Sequence, residues 1–115
     1  MATIAVERLE ALRREASHCR GLAWLAGSPL AVIAAAGEPV ALPDWAAVAK
    51  VAPVLLRDGP IASPEVLLRA GAAMLLLAER GDGVVAVIVA ASGGSPGVAL
   101  VQARMLASQV AEAAR

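Results

Sequence analysis

The chain has 115 residues, 59% of them apolar and 17% charged, and its ten basic residues balance its ten acidic ones to a net charge of zero. That length suits one domain, and neither a basic face nor stacking aromatics are there to grip nucleic acid: Lys50 is the sole lysine, and Trp24 and Trp45 are the sole aromatics. The single cysteine, Cys19, excludes an internal disulfide, and the longest apolar run, 84–91, is far shorter than the roughly 20 residues of a spanning helix, so the expectation is a cytoplasmic chain without membrane insertion.

Residues 3–17 carry Val6, Leu9, Leu12 and Ala16 at helical spacing, with charges on the other side, which predicts an amphipathic helix capped by Thr3. Two apolar runs follow, 21–26 and 30–36, split by "GSP". Both are too short for typical helices and the link punctuates them as a hairpin. Neither alternates with polar residues, so both faces of these strands should be covered. Asp44 then caps a helix from Trp45 to about residue 58, with Trp45, Val48, Val51, Ala52 and Leu55 on one stripe and Ala46, Lys50 and Arg57 opposite. Pro53 sits inside it and removes one helical hydrogen bond.

Three more strands are predicted, at 65–70, 72–79 and 84–91, the last two joined by "ERGDGV" with Asp82-Gly83 as the hairpin signal. "VVAVIVAA" is apolar and largely β-branched, as a central strand is. A closing helix runs from Pro96 to about 114, with Ser95 as its cap. The order α-β-β-α-β-β-β-α, with links too short for parallel crossovers, predicts an α/β (α+β) domain over 1–115: a five-stranded antiparallel sheet with helices on both faces.

The motifs that could carry chemistry are weak. "SGGSPG" lies between a strand and a helix, where phosphates are often held, but no lysine is near it and the dinucleotide spacing is wrong. The glycines also suit a sharp strand-to-helix reversal, and that reading is preferred. His18-Cys19 are adjacent in sequence with no third group to orient them, so they read as a helix end and a half-buried thiol. "RGD" at 80–82 reads as a hairpin tip. No cluster suits a metal, and no catalytic set emerges. The surplus apolar surface says more. The closing helix has a main stripe of Leu100, Ala103, Leu106, Ala107, Val110 and Ala114, and a second patch of Val98, Val101 and Met105. The third strand, "EVLLRA", would leave open backbone groups if it lay at a sheet edge. Either these patches cover one another within one subunit, or they meet another chain.

In this order, and in the segments "CRGLAWLAGSPLAVIAAAG" and "LLLAERGDGVVAVIVAASGGSPGVALVQARMLASQVAEA", the chain resembles the roadblock/dynein light chain family, whose architecture is profilin-like. Family members carry an arginine in the last helix, matched here by Arg104, and often an Asp-x-x-Gly turn in the first hairpin, where this chain has "GSP". The resemblance implies a regulatory module without its own catalysis; from the residues themselves, no cofactor and no metal are expected. It implies a homodimer in which third strands join edge to edge and second helices pack together, which here means Trp45, Val48, Val51 and Leu55 of the helix and Val66, Leu67 and Leu68 of the strand. Family members of the MglB type often act with small Ras-like GTPases. The composite outer surface of the paired helices, Ala46, Lys50, Val54 and Arg57 here, is the expected docking face. The rival readings are a structural subunit of a larger assembly and a small-molecule sensor, which would need an enclosed cavity with convergent polar groups.

Overall fold

The computed structural model describes residues 2–16, 18–38, 44–57, 64–90 and 96–115. Its elements are α1 (Val6–Glu15), β1 (Cys19–Ala26), β2 (Ala31–Gly37), α2 (Trp45–Leu56), β3 (Glu65–Ala70), β4 (Ala73–Arg80), β5 (Gly83–Ala90) and α3 (Pro96–Ala113). The strands form one antiparallel sheet in the order β2-β1-β5-β4-β3, so β2 and β3 are its edges. The element order and the two-sided sheet are those the sequence predicts.

The alternation of side chains across each strand builds two cores. On one face Leu22 and Trp24 of β1, Leu76 of β4, and Val85, Val87 and Val89 of β5 meet Leu9 and Leu12 of α1 and Ala103, Leu106, Ala107 and Val110 of α3. On the other, Ala23 and Leu25 of β1, Leu77 of β4, and Val84 and Ala86 of β5 meet Ala49, Ala52 and Leu56 of α2. Each fully buried Leu or Val side chain stabilises the fold by about 1.5–3 kcal/mol relative to exposure. Two helices cover the first face and one covers the second.

The start of the chain departs from expectation. Thr3 caps nothing; Ala5 occupies the N-cap position without a side-chain hydrogen bond, and α1 begins at Val6. Thr3 is instead drawn to the other end of the chain. Its N–H donates to the Arg115 carbonyl at 2.7 Å, and the Arg115 N–H donates to the Thr3 carbonyl at 2.8 Å. Beside it, the Trp24 indole N–H donates to the Ala2 carbonyl at 2.9 Å. Asp44 does cap α2, accepting from the N–H groups of Ala46 and Ala47 at 3.0 and 3.3 Å.

The β4–β5 hairpin is also shifted by one residue. Arg80 pairs with Gly83, so the turn is Gly81-Asp82, and Gly81 takes the positive φ of +58° that a side chain would resist. Gly83 serves another purpose. A Cβ there would lie 2.6–2.7 Å from the Trp24 ring and also strike the Leu25 carbonyl oxygen. Trp24 and Leu25 are both buried and cannot yield. Gly83→Ala is therefore expected to destabilise the protein by about 1–3 kcal/mol, read as a lower urea midpoint at unchanged slope. An unchanged midpoint would show that the ring has room to move.

Candidate interaction surface

The arrangement holds little that could do chemistry. The Cys19 thiol is buried, donates to the Gly21 carbonyl at 3.3 Å, and is pushed up to about 11 by that burial, so it is not a thiolate near neutral pH. His18 contributes its carbonyl to the Ala90 N–H at 2.9 Å. Arg80 of the "RGD" sequence turns to Glu65 rather than standing out from the hairpin. Among the described residues no three His, Cys, Asp or Glu side chains come together as metal ligands. Ser92 to Ser95 of the glycine loop lie outside the described residues; α3 starts at Pro96 as expected. One open groove of about 610 Å³ runs between α1, the β2 edge and Trp45. It lies along the surface and is not an enclosed chamber.

What the molecule does present is apolar surface on α2, on β3 and on α3, where the second patch expected from the sequence, Val98, Val101 and Met105, is exposed. On α2 the face against the sheet is Ala49, Ala52 and Leu56, with Trp45, Val48 and Leu55 partly covered beside them. The stripe expected from the sequence is thus turned by part of a helical step. Val51 is 48% exposed and Val54 is 55% exposed. With Ala49, Ala52 and Leu56 against the sheet, Val51 and Val54 fall on the outward side of the helix. On β3, Leu67 is 43% and Leu68 38% exposed, while Val66 is half-buried. Val66 and Leu68 pair with Leu77 and Leu75 on the α2 side of the sheet; Leu67 pairs with Leu76 on the α1/α3 side.

Of the residues assigned to a docking face, Ala46, Lys50, Val54 and Arg57 are all exposed on α2. Arg57 is already engaged, its Nε donating to Glu79 Oε1 at 2.7 Å. Lys50 is therefore the cleaner reporter of that face.

A cluster that the sequence did not disclose fastens the edge strand. Glu65 accepts from Arg80 at 2.9 Å through one carboxylate oxygen and from Arg104 at 2.9 Å through the other. β3 is thereby tied to both β4 and α3. No local pattern signals this, because the three residues are distant in sequence. Burial works against ionisation of Glu65, but the hydrogen bonds and charges of Arg80 and Arg104 outweigh it and hold the carboxyl below its usual range. A folded-state value below the unfolded one gives stability above the ordinary carboxylate range that is lost as pH falls through the folded value. Glu65→Gln is therefore expected to cost about 1–2 kcal/mol at pH 7, with parent and variant converging once the pH falls well below about 4. Urea midpoints at pH 7 and pH 3 check this. A gap that persists at pH 3 would mean that the lost contacts are not ionic.

A five-stranded antiparallel sheet with two helices on one face and one on the other, its third strand at an edge, defines an α+β class of small domain. No family model and no curated protein matches the sequence. Solved structures do match in three dimensions. The Roadblock/LC7 domain from Streptomyces avermitilis superposes with a TM-score of 0.67 over 94% of this chain and 95% of that one, at 18% identity. An MglB with a tetrameric arrangement gives 0.71 over 98% and 94% at 15% identity, and the gliding protein MglB from Thermus thermophilus gives 0.67 over 98% and 95% at 13%. The chain has the roadblock fold.

Proposed function

We propose that this chain is a non-catalytic regulatory module of the roadblock family, a homodimer that binds and modulates a small Ras-like GTPase. The observation that carries the reading is that two of the exposed apolar surfaces, on α2 and along the β3 edge, lie side by side, in a fold shared with MglB structures. A monomer gains nothing from leaving Val51, Val54, Leu67 and Leu68 in water. Antiparallel joining of two β3 edges places the two-fold axis normal to the sheet, so both α2 helices fall on the same face of one continuous sheet. Trp45, Val48, Val51 and Leu55 would then line the contact between helices, and Val66, Leu67 and Leu68 the contact between strands. The outer side, with Ala46, Lys50, Val54 and Arg57, receives the GTPase near the two-fold axis.

The test is a titration of small GTPases from the same genome against the parent and Lys50→Glu. Lys50 lies at the rim of the proposed site, so the variant is expected to bind more weakly, mostly through a slower on-rate and a reduced salt dependence. Equal binding by an intact dimer removes this surface from the reading. Binding to none of them favours a structural subunit of a larger assembly.

A further inference from the structure

Resting on that homodimer, we infer that β3 is self-complementary in one register only, with Leu67 facing Leu67 of the second copy and Arg69 facing its Glu65. The outward direction of the backbone follows from one hydrogen bond. The Glu79 N–H donates to the Pro64 carbonyl at 2.7 Å, and β3 pairs with β4 so that Glu65 lies opposite Ala78. In an antiparallel ladder the hydrogen-bonded pairs alternate. Even-numbered residues of β3 therefore turn their backbone groups to β4, and Glu65, Leu67 and Arg69 turn theirs to the open edge. The two-fold axis normal to the sheet keeps side chains of both copies on their own faces, so like faces like across the joint. That leaves three registers inside the strand, centred on Val66, Leu67 or Leu68.

The three are not equivalent. Centred on Leu67, the joint uses the outward backbone groups of Glu65, Leu67 and Arg69 from each copy. Leu67 meets Leu67 on the α1/α3 face, and Val66 meets Leu68 twice on the α2 face. Arg69, which is exposed and has no ion-pair partner among the described residues, comes opposite Glu65 of the second copy. Centred on Val66, Leu67 faces a glutamate. Centred on Leu68, it faces an arginine, and Glu65 is carried past the strand end to Gly71, a turn residue with φ +59°. Directly opposed side chains are the unit of sheet stabilisation, and a mismatched pair forfeits it. Glu65 is already shared by Arg80 and Arg104, so Arg69 adds little attraction. The two charged residues contribute selectivity: sliding one way sets Glu65 against Leu67, and sliding the other way sets Arg69 against it.

Cysteine pairing distinguishes the registers, because each brings a different pair of even-numbered residues to the close, non-hydrogen-bonded spacing of about 4.5 Å that a disulfide tolerates. Val66→Cys and Leu68→Cys chains are oxidised separately and as an equimolar mixture, with the buried Cys19 of the parent as control and products identified by mass. Light scattering of the reduced proteins is measured alongside. The expected result is a dimer in every sample and a mixed disulfide, joining a Val66→Cys chain to a Leu68→Cys chain, formed at least about tenfold faster than either homodisulfide. A dimer in which Val66→Cys or Leu68→Cys links to itself faster overturns the register and leaves the homodimer standing. A monomer in every sample overturns both.

Discussion

Leu67→Pro is expected to turn the proposed homodimer into a folded monomer, with light scattering giving the 11.5 kDa of one chain in place of twice that mass. The reasoning lies in where the Leu67 N–H points. It faces the open edge, so proline there removes no bond of the β3–β4 ladder, and edge positions of this kind are where strands accept proline. What proline removes is the central donor of the proposed joint between copies, and its ring would stand in the path of the second strand. A stable interface of this type commonly buries more than about 2,000 Å², and losing its middle should weaken association by orders of magnitude. Leu68→Pro is the internal contrast. Its N–H faces β4, so that variant should lose thermal stability within the chain as well. A Leu67→Pro protein of unchanged mass would show that the copies do not meet at β3.

Among truncations of core side chains to alanine, Trp24→Ala should produce one of the largest losses of stability, about 3–5 kcal/mol, against the 5–15 kcal/mol that holds a typical domain folded. Trp24 is the largest of the fully buried side chains. It sits between Gly83 and the first residues of the chain, and its indole N–H is bonded to the Ala2 carbonyl. Truncation opens a cavity and frees that carbonyl together. Because Gly83 is required by the ring, the two positions are coupled: in the Trp24→Ala background, Gly83→Ala should cost less than it does alone. A melting temperature within about 2 °C of the parent would show that the core collapses to fill the gap.

How far the sequence disclosed this molecule can be judged element by element. β5 was legible because an apolar, largely β-branched run bounded by turns has few other uses, and it proved to be the central strand. α2 was legible at its start because Asp44 is a local signal with a local effect. The hairpin frame was missed because "GDG" offers two glycines, and only the packing of Trp24 against Gly83 reveals which one belongs to the strand. Thr3 was missed for a related reason, since its partner lies at the far end of the chain. The same limit governs the surface. Which strand forms an edge, and that Arg57 reaches Glu79 or Arg104 reaches Glu65, depend on pairings that no window of neighbouring residues contains. The apolar run of β3 suits an edge without dictating one, and the outward valines follow only from the rotation of α2 on the sheet.

The paired backbone groups of Thr3 and Arg115 hold residues 3 and 115 side by side. In a 115-residue domain a connector of a few residues would join these two positions, and new ends could then be opened at the exposed tips Gly71-Ala72 or Gly81-Asp82, giving circular permutants with the same layers and the same edges. For the unpermuted chain the geometry sets where cargo can go. Anything attached at Ala2 or Arg115 departs from one spot, beside the Trp24 indole. Two fluorophores attached there would report on each other within one copy before they reported on a second, so energy transfer between copies should be read from labels on β3 or α2 instead.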